Sequence, residues 1–194
     1  DRTLLTAPTM RALDRYTGTL YSALHGRGLK GSPTANNSLT PDEVKRAKST
    51  VLIQSALFGL IPSTDLIPEY KVSPTKNLNG LNLKNLWSEA HLAIWPRLTG
   101  GLIIDLRSKA YAELAPIPAD VEHYTATVEV EYEDGSRATL NHFNKKAKGQ
   151  LVRSSLTAKQ PPETLADLKR CARRAGLKIE VSGSQLTIVT REAT

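Results

Sequence analysis

Between Tyr124 and Tyr132 apolar and polar residues alternate without a break, so that Tyr124, Ala126, Val128, Val130 and Tyr132 fall on one side. A period of two is the pattern of a strand with one buried face. Asp134-Gly135 supplies a tight turn, and Arg137 to Phe143 is expected to return as the second arm of a hairpin. A second hairpin is read near the end of the chain, from Lys178 to Val181, through Ser182-Gly183, and back along Gln185 to Thr190. Thr50 to Ser55, around Val51-Leu-Ile53, and Gly100 to Leu106 are apolar enough to be buried strands.

Helical signals lie between these strands. Residues 8 to 24 have roughly helical apolar spacing with an interruption near Gly18. Thr40-Pro-Asp-Glu43 reads as a capped helix start, with Pro41 in the first turn and Glu43 reaching back. Leu81 to Trp95 places Leu83, Leu86, Trp87, Ala90 and Ile94 on one side, with His91 as a structural residue at the border. After Pro161 and Pro162 a further helix carries the stripe Leu165, Leu168, Ala172 and Ala175, and Gly176 ends it. Pro62, Pro68 and Pro74 are expected to keep Ile61 to Thr75 irregular, in a loop that carries Asp65, Tyr70 and Lys71. Strands and helices mix without a steady βαβ rhythm and without repeats. The expected fold is therefore α+β (irregular α/β), a mixed sheet with flanking helices and two hairpins in a single domain over residues 1–194.

Charge is concentrated in one third of this chain. The net charge is +7, yet Lys145 to Lys178 alone holds ten Lys or Arg against two acids, Glu163 and Asp167. The stretch Asn141-His-Phe-Asn-Lys-Lys-Ala-Lys-Gly149 is expected to leave a strand and start a helix, which gathers backbone N–H groups and cations where an anion would sit. A polyanion such as nucleic acid, or a phosphate-bearing ligand, is the expected partner. A solvated basic face is the plain alternative.

One cysteine excludes an internal disulfide framework and fits a reducing compartment. No apolar run approaches the ~20 residues that span a bilayer, so no membrane partner is expected. Four dispersed histidines show no metal spacing, and Gly26-Arg-Gly28 lacks the preceding strand of a phosphate-cradling loop, so no cofactor is expected.

Five stretches in order resemble the peroxide-stress protein YaaA family of bacteria, and its actinobacterial branch in the last hairpin. They are Arg15-Tyr-Thr-Gly-Thr-Leu-Tyr21, Val51 through Lys71, Leu86-Trp87, Ile104-Asp-Leu-Arg-Ser-Lys-Ala-Tyr111 and Lys145-Lys-Ala-Lys-Gly149. The resemblance implies a cytoplasmic α/β protein of unusual topology that binds DNA and limits peroxide damage. The family's N-terminal strand, its Ser-Glu-Gly-Lys type motif and its helix-hairpin-helix segment have no counterpart in this sequence, so duplex binding through that element is not carried over. Lys145-Lys-Ala-Lys148-Gly149 also stands where the family has Lys-x-x-Arg-Gly, and Lys71 stands where it has arginine. Lysine lacks the planar fork that grips phosphate in a bidentate way.

If these motifs converge, Tyr16, Tyr21, Lys71, Arg107, Lys145, Lys148 and Arg153 are the candidate phosphate and nucleic-acid contacts, with Asp65 or Asp105 orienting the cations. A tyrosine would offer a stacking face. Lys169, Arg170, Arg173 and Arg174 form a secondary basic face suited to backbone contact without base reading. Cys171, among these arginines, is read either as structural or as an oxidisable thiol, and His142 either as a strand residue or as an acid–base group. No nucleophile–His–acid set names a reaction. An enzyme acting on a nucleotide or nucleobase through a lysine, as lyase or hydrolase, stays open beside DNA binding.

Overall fold

The computed structural model describes residues 2–27, 39–75, 78, 80–139 and 141–191. Of the Gly26-Arg-Gly28 stretch, position 28 therefore falls outside the described residues.

A 3-10 turn at Arg2–Leu5 precedes β1 (Thr9–Arg11), α1 (Ala12–Arg15) and α2 (Thr19–Leu24). Gly18, with φ of 106°, breaks the helical run at the expected place. Next come α3 (Pro41–Thr50), β2 (Leu52–Ser55), β3 (Gly59–Pro62) and β4 (Leu66–Pro68). Thr40 caps α3 as its sequence predicts: its Oγ1 accepts the Glu43 N–H at 3.3 Å, and the Glu43 carboxylate accepts the Thr40 N–H at 2.8 Å. β1 pairs antiparallel with β4, and β2 with β3. Two expectations are corrected here. Thr9–Arg11 is extended, because its backbone has a partner in β4. The proline segment is not irregular throughout, because Pro62 and Pro68 are strand-end residues, where a missing N–H is tolerated.

α4 (Leu83–Ala90) is shorter than the helix expected from Leu81 to Trp95, since Asn82 caps it and a 3-10 turn follows at Trp95–Leu98. The strand expected from Gly100 to Leu106 shrinks to β5 (Ile104–Asp105), the two residues in register with a neighbouring strand; α5 (Lys109–Ala112) follows. The remaining elements are β6 (Tyr124–Glu131), β7 (Arg137–Ala138), α6 (Asn141–Leu156), α7 (Leu165–Arg174), β8 (Lys178–Ser182) and β9 (Gln185–Arg191). The return strand expected to reach Phe143 is cut to two residues, and the basic helix starts at Asn141. What decides this is packing: α6 must lay Ala147 and Leu151 on the sheet.

The sheet runs β5-β6-β9-β8. β9 lies parallel to β6, matching Ala126 to Leu186 and Val128 to Ile188, while β8 returns antiparallel along β9. β5 and β7 occupy opposite ends of the other edge of β6. α6 and α7 cover one face, where Ala126, Val128, Leu186 and Ile188 meet Ala147, Leu151, Leu168 and Ala172. The opposite side of α6 packs on the N-terminal layer. Leu156 joins Leu13, Leu24, Leu39 and Ala47 there, and Gly149 is buried against α2. A Cβ on Gly149 would overlap the Leu20 carbonyl oxygen, so the two helices approach only because that position has no side chain. These results establish the α+β class, with α6 as the shared wall between two layers.

Candidate functional site

Asp105 and Arg107 form the most buried charged pair of the site. Arg107 Nε donates to Asp105 Oδ1 and Nη2 to Asp105 Oδ2, both at 2.8 Å. Nη1 donates to Gln54 Oε1 at 3.2 Å and to the Ala115 carbonyl at 2.9 Å. The guanidinium also lies 5.5 Å from the ring centre of Trp95. Four of its five N–H directions are thus engaged within the fold. Burial alone would push the Asp105 carboxyl up, but the Arg107 fork outweighs it and holds the group below the usual carboxylate range.

Lys148 sits above this pair on α6. It is 5% exposed, and its Nζ donates to the Arg107 carbonyl at 3.5 Å. Its nearest acid is Asp105, already neutralised by Arg107. Burial pulls the Lys148 amine below the ordinary lysine range, with Asp105 opposing.

A chain of hydroxyls lies on the other flank of β2. Ser55 Oγ is 2.6 Å from Tyr70 OH, which is 2.5 Å from Tyr16 OH. Ser55 Oγ already accepts the N–H groups of Leu57 and Phe58, at 3.1 and 2.9 Å. Its own proton is therefore donated into the tyrosine pair, where Tyr70 and Tyr16 share the next hydrogen bond. Tyr21 stacks on Tyr16 with ring centres 5.5 Å apart. Burial raises the pKa of Tyr16, Tyr21, Tyr70 and Tyr111, so all four remain protonated donors at neutral pH.

Gln54 and Ser55, adjacent at the end of β2, join the two halves: Gln54 holds Arg107 and Ser55 holds Tyr70. Tyr21 and Lys148 each lie one residue from the contact between Leu20 and Gly149. The structure thus brings together Tyr16 with Tyr21, and Arg107 with Lys148, as two pairs. Lys145 is exposed one turn before Lys148, and Lys71 is exposed beside Tyr70. Arg153 turns elsewhere: its Nη1 donates to the Leu24 carbonyl at 3.0 Å at the end of α2, in space left by Gly26. Asp65 is exposed and serves β1 and α1 through its backbone carbonyl, which accepts the Ala12 N–H. The side chain of His142 lies outside the described residues. Gln54 and Ser55 are absent from the residues expected at the sequence level, although a polar pair inside an apolar strand was a visible signal.

The secondary basic face forms a second feature. A hollow of about 880 Å³ is rimmed by Lys159, Arg170, Arg173 and Arg174, with Glu163 and Asp167. Arg170 pairs with Asp167, and Arg174 Nη2 donates to Cys171 Sγ at 3.3 Å. Lys159 and Arg173 are exposed without an acidic partner among the described residues. Lys169 is half-buried on the same helix, and Cys171 is 2% exposed, beside the apolar stripe in the floor of the hollow. Among the described residues no group of three or more His, Cys, Asp or Glu could hold a metal, and no helix is long and apolar enough to cross a membrane.

The family described as peroxide stress protein YaaA matches residues 2–182 of the chain. A UPF0246 protein of Corynebacterium efficiens is 36% identical over 194 aligned residues, covering 96% of this chain and 71% of the relative. One from Corynebacterium glutamicum is 36% identical, covering 93% of this chain and 68% of the relative. A UPF0246 protein of Streptomyces coelicolor is also 36% identical, over 91% of this chain and 65% of its own length.

Proposed function

The chain belongs to the peroxide stress protein YaaA family, and on that footing we propose that it binds nucleic acid in the peroxide response, seating phosphates along α6 and α7. One observation carries this reading: Lys159 and Arg173 rim a hollow while lacking acidic partners among the described residues. Such cations exchange their counterions for phosphates without first breaking an internal pair. The junction around Lys148 supplies a second contact. There a phosphate would meet the Lys148 amine and a tyrosine O–H, with Lys145 and Lys71 at the margin and a base stacked against the tyrosine pair. The buried, reduced thiol of Cys171 fits a cytoplasmic setting.

The test is binding of duplex and single-stranded oligonucleotides across a salt titration, with the Lys159→Ala, Arg173→Ala double variant beside the parent chain. Losing two phosphate contacts should reduce the slope of log affinity against log salt by about 2. An unchanged slope rejects the hollow as a phosphate seat.

A second reading, an enzyme acting on a nucleotide or nucleobase, is favoured by the buried amine of Lys148, whose neighbouring carboxylate is already paired. Buried lysines of this kind serve as bases and as nucleophiles toward carbonyls.

A further inference from the structure

Among the described residues Lys148 differs from every other cation in where its amine lies. The side chain is nineteen-twentieths buried, and among the described residues its Nζ has one acceptor, the Arg107 carbonyl, at the long distance of 3.5 Å. An ammonium there loses most of its hydration and makes only one of its three hydrogen bonds. The carboxylate that would compensate it, Asp105, is gripped at both oxygens by Arg107. The position is also rigid, because the neighbouring Gly149 locks α6 against α2. The surroundings thus favour the uncharged amine, which carries a free electron pair. Tyr111 follows Arg107 by one turn and lies near Tyr21, and both are neutral acids.

We propose that Lys148 is an imine-forming nucleophile whose substrate is an aldehyde, the open-chain sugar of a phosphate-bearing nucleotide or nucleic acid being the class that the flanking cations fit. This rests on the second reading above. In the addition step the amine nitrogen bonds to the carbonyl carbon, the C=O π pair moves to oxygen, and that oxygen takes the proton that nitrogen releases. In the second step the hydroxyl leaves as water with a proton from a neighbouring acid, and nitrogen gives up its remaining proton as C=N forms. One C=N bond and one water replace one C=O and two N–H bonds, and no oxidant or reductant takes part. A protonated tyrosine, Tyr111 or Tyr21, supplies that proton and takes back the one that nitrogen releases.

Sodium borohydride reduces an imine to a stable secondary amine, so the full chain is incubated with an abasic oligonucleotide in one arm and with propionaldehyde in the other. It is then reduced and mapped by peptide mass spectrometry. The expected result is an adduct on Lys148 in both arms, retained in Lys45→Ala and Lys84→Ala, two exposed lysines outside the site, and lost in Lys148→Met. The abasic oligonucleotide should label at far lower concentration than propionaldehyde. Mapping the parent chain identifies the reacting lysine even if Lys148→Met fails to fold. No adduct in either arm, or adducts spread over exposed lysines, overturns the proposal. An adduct on Lys148 with propionaldehyde alone upholds the nucleophile and overturns the nucleotide reading beneath it.

Discussion

Gly149 of α6 and the carbonyl oxygen of Leu20 on α2 are so close that no side chain fits between them. The usual rule for a glycine inside a helix is therefore inverted. Replacing it by alanine ordinarily helps a helix by up to ~1 kcal/mol. Here Gly149→Ala should instead destabilise the chain by ~1–3 kcal/mol, the range of an overpacked core, because the obstacle is backbone and cannot rotate away. Urea unfolding followed by circular dichroism reads this directly, and a stabilised variant would show that α2 and α6 are not held at this distance.

Asp105 carries the next expectation. Its pKa lies below the ordinary 3.8, so its contribution to stability is complete above that pH and fades as the pH falls through the folded value. Asp105→Asn leaves the Arg107 guanidinium buried without its counter-charge and should cost ~3–5 kcal/mol at pH 7. The same substitution should flatten the acid limb of the stability curve. Chemical denaturation at pH 7 and at several points below pH 5 checks both halves.

His91 gives a separate limb nearer to neutrality. It is 1% exposed; Nε2 accepts the Leu60 N–H at 2.8 Å and Nδ1 faces the Trp87 carbonyl at 2.6 Å. The proton must then sit on Nδ1, and the ring is neutral. Burial holds its pKa below 6.5, helped by Arg107 and opposed by the Trp87 carbonyl. Stability from this group is full above pH 6.5 and is lost as the pH falls toward the folded value, where the unfolded chain binds the extra proton. His91→Ala should cost ~3 kcal/mol by leaving a buried N–H without an acceptor and opening a cavity. It should also remove the dependence between pH 6.5 and 5, measurable as a flat melting temperature over that interval.

Cys171 should be slow to react. It lies beneath the basic hollow, with Arg174 at 3.3 Å from its sulfur, yet it is only 2% exposed. A chromogenic disulfide reagent should label it fully only when urea unfolds the chain. Prompt labelling of the native protein would show that the hollow opens down to the thiol and would restore a redox role for it.

The parts of the fold legible in the sequence are those fixed by local chemistry. Thr40 and Glu43 cap α3, and the alternation from Tyr124 made β6 plain, because each signal depends on neighbours a few residues away. The parallel placement of β9 against β6 depends on residues about sixty positions apart, and no local pattern announces it. The start of α6 was obscured for a related reason: Arg137 to Phe143 has strand-like composition, and only packing against both layers makes its second half helical. At the site, residue types were readable and their commitments were not. Arg107 reads as a phosphate clamp, but its fork closes on Asp105, two residues away. Arg153 reads as part of the basic stretch, but it reaches back to Leu24. Lys148 looks like one surface charge among ten until its depth is known.

The closed fork of Arg107 has a consequence for anyone who mutates this protein residue by residue. A variant at that position would lose function wholesale, and a screen scored on output alone would record it as touching the ligand. Its true office is that of a keystone: it fixes Gln54, Asp105 and the Ala115 carbonyl in place, and through its own carbonyl it steadies the amine above. Contact and support would part company only when folding is measured beside binding.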